Sequence, residues 1–560
     1  MTAALVALLA LLCVTAVMLP RYALLLVLVF FPLEQLLQAY SPFFVARASF
    51  VNLAVGISAL LAVLRSMSTR DSPLVGSINP LMLATVAFYM FVFLGLVYTP
   101  SPASANRFVR GNYPYYGLML VLFPLLATRL DQVRAMLVPF LVVGSMVATA
   151  IIVSPSAKVE GGRLFVEIST PGSSERIKAN PLETATLGAL LTITGILFNP
   201  RTKNPLILII RVGATVAGLG IAVLAGGRGQ LIAAFVTVLA LFPFARQVRN
   251  IGQFVLVAGG AVVVLGFMGL IVGLFLNSGS GSRWGADSVN DALTDRFSRI
   301  TQLLTAWSND PVAWFIGLGP AAMNHVLGTE GDLQYPHNIL AEVLGSHGLI
   351  GFGLFTLVCV LAGLAARKLW ELYADDPIGR SAAMVLAGWA LFSLLIALKQ
   401  GSYLAIPAPF YFFLLLAKLA STESAMAWRY SQHALDAEPP DAPVPDPDTD
   451  QDHPDDGGLG AHPLRPTPHD GPLAPALRFS RLLGDPDPTP VALLASTDRL
   501  AALAGLNGGA HAHSSPPDPA EPRSATPVYG HGGPGHHAGL NGSALTPPDP
   551  HPPAPAPLKD

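Results

Sequence analysis

The sequence predicts an all-α, polytopic membrane helix bundle of about 12–13 transmembrane helices, with one long extracytoplasmic loop and a disordered C-terminal tail. Three observations carry this. Only 12% of the 560 residues are charged and the mean hydropathy is +0.53, whereas a soluble domain carries about 25% charged residues. The apolar residues gather in 1–420 as recurring runs of about 17–25 residues, each long enough to cross a hydrocarbon core as a helix. From Ser421 the composition turns to Pro, Gly, Asp, Ala and His with few large apolar residues, which cannot bury enough surface to fold.

The expected spans lie near 3–19, 22–38, 49–65, 79–98, 113–129, 133–153, 182–198, 205–225, 229–245, 252–276, 347–366, 381–400 and 404–420. Only Pro20 and Arg21 separate the first two, so one broken element there would make the count twelve. The first run lacks a basic leader region and a small-residue cleavage site, so it reads as a retained helix. Cys13 and Cys359 both fall inside apolar runs. They read as core residues and supply neither a disulfide framework nor a metal cluster. Three segments follow: membrane helices in 1–204, a second membrane domain in 205–420 that carries the loop 277–335, and the tail 421–560.

Lysine and arginine bias in short loops sets the orientation. Arg21, Arg65, Arg70, Arg129, Arg134, Arg201, Lys203, Arg246, Arg249, Arg367, Lys368 and Arg380 mark the cytoplasmic side. Alternation then turns outward Arg47, Arg107, Arg110, the mixed-charge loop 154–181, Arg228 and the loop 277–335. The tail comes out cytoplasmic. It holds ten of the thirteen histidines at irregular spacing, which reads as a solvated low-complexity tail with metal binding as the weaker alternative, and 491–506 is patterned for one short amphipathic helix.

The long loop opens with Asn277-Ser278-Gly279-Ser280-Gly281-Ser282, a linker composition. Leu293, Phe297, Ile300, Leu303, Leu304 and Trp307 then recur at helical spacing. This predicts an amphipathic helix on the membrane surface, with Asp295, Arg296 and Arg299 near its polar side. Pro311 stops it, and Gly317-Leu318-Gly319-Pro320 makes a turn.

The candidate site is assembled from short polar breaks. Arg228 sits in Gly226-Gly227-Arg228-Gly229 between two apolar runs. A guanidinium fork fits phosphate oxygens, glycines let a ligand approach the backbone, and arginine inside a membrane domain is costly without a role. Snorkelling to lipid headgroups is the alternative for this arginine. Arg296 and Arg299 add charge from the loop. His337, in Tyr335-Pro336-His337-Asn338, stands at the mouth of a membrane helix, where an imidazole meets water and titrates near neutral pH. Asn338 is placed to cap that helix. His325 and His347 are further candidates, and His347 ranks as structural. The sequence holds no phosphate-binding or dinucleotide loop motif, no zinc-protease helix and no calcium-loop spacing. No required metal, no cofactor and no nucleic-acid partner are therefore expected.

Three pieces in order give a family resemblance: Gly227-Arg228-Gly229 opening a helix, Arg296 through Trp307 and Asp310-Pro311 to Gly317-Leu318-Gly319-Pro320, and Pro336-His337-Asn338 with Leu340 and Gly348-Leu349-Ile350-Gly351. Together they resemble the O-antigen ligase/O-antigen polymerase superfamily of bacterial membrane glycosyltransferases, over about residues 205–366. Ser346 departs from the pattern, since members often carry a glutamate just before the glycine matched by Gly348. Arg296 fits the family's spacing to Pro311 better than Arg299, but both are close.

The resemblance implies transfer of a glycan from a polyprenyl-pyrophosphate carrier, such as undecaprenyl pyrophosphate, to an acceptor hydroxyl on a glycan, a lipid or a protein. The setting would be the outer face of the bacterial inner membrane, in polysaccharide biosynthesis for the cell envelope. Arg228 and Arg296 or Arg299 would hold the pyrophosphate, and His337 would orient or deprotonate the acceptor. The other reading is a solute transporter, bicarbonate-like, that shares the same membrane domain. Such a protein would place ionisable groups near the bilayer midplane, where Glu34 and Glu183 are the visible ones.

Overall fold

The computed structural model describes residues 1–436, except 69–71, 161–162, 170–175, 202–203, most of 247–285, 330–332 and 405–406. The expected span 252–276, the linker 277–282, the tail from 437 and its helix at 491–506 lie outside the described residues.

The architecture is an all-α membrane bundle. In chain order the main helices are α1 (Thr2–Met18), α2 (Ala23–Tyr40), α3 (Ala48–Met67), α4 (Pro80–Leu94), α5 (Pro102–Leu125), α6 (Leu130–Ile152), α7 (Pro181–Leu197), α8 (Pro205–Leu224) and α9 (Arg228–Arg246). They continue with α10 (Ala286–Ser308), α11 (Ile339–Leu372), α12 (Pro377–Gln400) and α13 (Ala408–Asp436). Among the described residues nine helical segments are long and apolar enough to cross a membrane, and α1, Pro114–Leu125 within α5, and α7 are shorter apolar helices. Pro20–Tyr22 forms a single 3-10 turn that joins α1 to α2.

Four helices start in the same way. Asn79, Asn180, Asn204 and Asp376 each precede a proline, and each side chain accepts a hydrogen bond from a backbone N–H in the first turn. The proline fixes φ where no N–H partner is needed, and the Asn or Asp oxygen satisfies one of the orphan donors.

One apolar core runs from Leu5 to Ala420. It includes Phe30, Phe88, Phe140, Trp389 and Phe410, all nearly inaccessible. Helix α7 packs along α8 and α9, so the boundary expected at 204/205 is not a boundary in packing. The tail expected from 421 is also corrected. Helix α13 continues to Asp436, with Thr422 and Glu423 buried, because Thr422 donates to the Val75 carbonyl and Glu423 accepts from the Leu130 N–H.

The segment read as a mixed-charge loop at 154–181 holds a three-stranded antiparallel sheet: β1 (Ala157–Glu160), β2 (Arg163–Ser169) and β3 (Arg176–Lys178), in the order β1-β2-β3. Leu164, Val166 and Ile168 alternate along β2 and are buried, Phe165 between the first two is buried as well, and β2 packs on α2. Glu160 of β1 and Lys178 of β3 reach across β2 to form an exposed ion pair of 2.7 Å. Alternation of this kind is the strand signal.

Candidate functional site

The histidine segment is held by a break in α11. Inside this helix Gly348 takes φ 62°, ψ −163°, a conformation that excludes a side chain at little cost only for glycine. The break frees the carbonyls of Gly345 and Ser346. The N–H groups of Leu318 and Gly319 bond to them at 2.9 and 2.8 Å. The turn Gly317–Pro320 is thus strapped backbone to backbone across the broken helix. Its other side is tied to the segment after α4, beyond the 3-10 turn Gly95–Val97, where the Tyr98 hydroxyl donates to the Ile316 carbonyl and the Thr99 hydroxyl to the Pro320 carbonyl, both at 2.6 Å. Satisfying every buried backbone group explains why the turn and the helix come as a pair.

The expected amphipathic helix is α10, spanning Ala286–Ser308. Only part of its apolar stripe is buried. Leu303 is inaccessible and meets Ala322 and Met323 of a short helix (Ala322–Val326), while Leu293 and Phe297 stay exposed. Asp310 caps the turn after α10 by accepting from the N–H groups of Val312 and Ala313. Trp307 Nε1 donates to the Ala313 carbonyl at 2.8 Å.

On this frame the basic residues meet. Arg228 is the first residue of α9, after Gly226 at φ +66°. It is close enough to Arg296 to help depress that guanidinium below its usual range, with burial as the larger cause. Arg299 is anchored differently. Its Nε pairs with Asp295 at 3.2 Å and its Nη1 donates to Gln334 Oε1 at 3.2 Å. Gln334 is itself positioned by its N–H bond to the buried Asn324 Oδ1, at 2.9 Å.

His337 stands among these cations. Burial, then Arg296 and Arg299, hold its imidazole down to about 4, with Asp295 and the Gln400 backbone carbonyl acting the other way. The ring is therefore neutral at neutral pH and keeps a lone pair for a proton. It packs edge-on against Tyr335, with centroids 4.5 Å apart. Its backbone is left-handed, φ +59°, a conformation that costs free energy in a non-glycine residue and is found at functional sites. Asn338 caps α11, its Oδ1 accepting from the Ala341 N–H at 3.0 Å.

The structure thus brings Arg228, Arg296, Arg299 and His337 to one end of the bundle. His325 is exposed on the short helix. His347 is wholly buried among Phe88, Phe91 and Tyr403. Three participants were missed in the sequence. Tyr335 carries the ring against His337. Glu342, buried in the first turn of α11, accepts from the Ser402 hydroxyl at 2.7 Å and the Tyr403 N–H at 3.1 Å, which fixes the α12–α13 connection against the site. Lys399, in the last turn of α12, lies over Gly229. Among the described residues no group of three or more His, Cys, Asp or Glu side chains is gathered to hold a metal ion.

The cluster combines several cations, one neutral imidazole and a partly buried setting at the end of an apolar bundle. Chemically it is suited to an anion with several oxygens and to taking up a proton beside it. No family model matches the chain, and no curated protein matches it.

Proposed function

We propose that this protein is a membrane glycosyltransferase that moves a glycan from a polyprenyl-pyrophosphate carrier to an acceptor hydroxyl at the extracytoplasmic face. The observation that carries the reading is the meeting of Arg228 and Arg296 beside a neutral His337. Holding like charges together in a partly desolvated place costs energy, and a bound diphosphate offsets that cost. The outward orientation rests on the lysine and arginine bias of the loops.

In the proposed step the acceptor oxygen bonds to the anomeric carbon, and the bond from that carbon to the pyrophosphate oxygen breaks. The bonding pair leaves with the pyrophosphate, where Arg228 and Arg296 stabilise the added charge. The acceptor proton passes to His337. Anion binding also offsets the positive field at His337, which raises the affinity of the imidazole for that proton as the substrate arrives. The isoprenoid tail stays in the bilayer, so the site has reason to sit at a membrane surface.

The test is transfer in vitro from a purified polyprenyl-pyrophosphate glycan to candidate acceptors, with wild type, Arg228→Ala and His337→Ala compared. Consumption of the donor by wild type and its loss in both variants is expected. A ladder of products identifies a polymerase and a single addition a ligase. Donor untouched with every acceptor, together with uptake of a labelled solute into proteoliposomes, would replace this reading with a transporter.

A further inference from the structure

The first turn of α9 is bare on the side that faces α12. A Cβ at Gly229 would fall 2.1 Å from both Nζ and Cδ of Lys399 and 2.4 Å from its Cε. The lysine side chain therefore lies directly on the backbone next to Arg228. A side chain at 229 would push the flexible end of Lys399 aside. Lys399 also immediately precedes Gln400, whose carbonyl interacts with the His337 ring. The end of α12 thus joins the Arg228 side of the cluster to the His337 side.

A second observation points to a ligand at the same turn. Gln230 is wholly buried, and among the described residues neither its Nε2 nor its Oε1 has a hydrogen-bond partner. Side chains on a helix lean toward its N-terminus, and Oε1 of Gln230 lies 3.2 Å from where a Gly227 Cβ would stand. The amide oxygen thus lies beside Gly227, just before α9, and leaves Nε2 as the donor of the group. An unpartnered buried amide is costly, and it sits where the helix dipole already favours negative charge. Gly226 at φ +66° turns the chain so that α9 begins at Arg228.

We propose that Lys399, with Gln230 and the first turn of α9, forms a second phosphate subsite beside Arg228. The site would then take a diphosphate in preference to a monophosphate. One phosphate sits on Arg228, Lys399 and the Gln230 amide. The other faces Arg296 and His337. This rests on the proposed function and sharpens it, because it assigns the two phosphates to two different parts of the cluster. Lys399 acts by contact with the anion and takes no proton from the acceptor.

The experiment uses the full chain, purified in detergent. A fluorescent polyprenyl pyrophosphate is bound to it and competed with inorganic pyrophosphate or with inorganic phosphate. Wild type should favour pyrophosphate. Lys399→Ala should weaken pyrophosphate by about tenfold and leave phosphate unchanged, with Lys399→Arg restoring most of the loss. Gln230→Leu should act in the same direction with a smaller effect. Lys399→Gln removes the charge but keeps most of the stem over Gly229, so it guards against a folding defect in the alanine variant, and unchanged thermal melting of the free proteins checks this. The subsite is overturned if Lys399→Ala and Lys399→Gln bind pyrophosphate as wild type does while Arg228→Ala does not. Failure of wild type to bind any diphosphate would remove the proposed function itself, and the subsite with it.

Discussion

Gly317 and Gly348 lie backbone against backbone: a Cβ on Gly348 would fall 2.6 Å from the Gly317 nitrogen, and one on Gly317 would fall 2.1 Å from the His347 nitrogen. Two glycines far apart in the chain are thus needed at one contact. It locks the turn that leads into Tyr335–Asn338 against the helix that follows. Any side chain here forces the strap off the broken helix and moves His337 with it.

Gly348→Ala should therefore damage both stability and activity. A non-glycine residue at this φ costs about 1–3 kcal/mol, and the contact with the Phe315 carbonyl, 2.4 Å from the new Cβ to its carbon, adds to that. Thermal melting in detergent should fall by several degrees, and glycan transfer should drop further than the melting shift alone accounts for. An alanine protein that melts and transfers like wild type would show that the strap does not position the histidine. Gly353 and Gly363 have nothing within 4 Å of an added Cβ and serve as controls on the same helix.

Asn338 tests the cap separately from the strap. Its Oδ1 holds the Ala341 N–H at 3.0 Å, and removing such a cap costs about 1 kcal/mol. Asn338→Ala should lower the melting temperature modestly, with Asn338→Asp or Asn338→Ser restoring it. Transfer should fall in proportion to the fraying of the first turn of α11, which also carries Glu342. A fall of a thousandfold with unchanged melting would mean that Asn338 touches substrate.

Much of the bundle was legible in the sequence because lipid imposes a simple demand. A span has to be a helix about 20 residues long, and such runs stand out whatever their tertiary partners. The start of α4 at Asn79-Pro80 shows this, since a length rule and a capping pair agree there. Strand β2 was missed because its alternation spans only a few residues inside a charged segment. The site was legible as a set of residues, but its connections were not. Lys399 reads in sequence as an ordinary basic residue at the end of a helix, and only the missing Cβ at Gly229 gives it a place. Glu342 is equally unreadable until Ser402 and Tyr403, sixty residues on, arrive as its donors.

His337 gives a pH signature. Its folded value, about 4, lies below the ordinary 6.5 or so of an unfolded histidine. Between these values the unfolded chain binds the proton and the folded chain does not. The stability from a neutral His337 is thus fully present above about pH 6.5 and is lost as pH falls toward 4. Melting followed from pH 7 to 4.5 should decline more in wild type than in His337→Gln, with a difference of about 1–2 kcal/mol at the acid end. Parallel curves would mean that neither burial nor Arg296 and Arg299 depress the imidazole in the folded protein.

The two loop arginines should separate. Arg299 is tied to Asp295 and Gln334, so much of its charge is answered within the loop. Arg296 feels the charge of Arg228, and a diphosphate between them relieves that repulsion as it binds. Arg296→Ala should cut transfer by about a hundredfold, the scale seen when one donor to a developing oxyanion is removed. Arg299→Ala should cost about tenfold, the value of one lost charge-assisted bond that orients the site. Arg296→Lys should recover only part of the loss, since a point charge lacks the guanidinium fork. Steady-state kinetics with a defined lipid-linked donor decides between them. If Arg299→Ala proves the more damaging, the anion sits nearer Gln334 than Arg228, and the pairing of Arg228 with Arg296 as the diphosphate clamp is wrong.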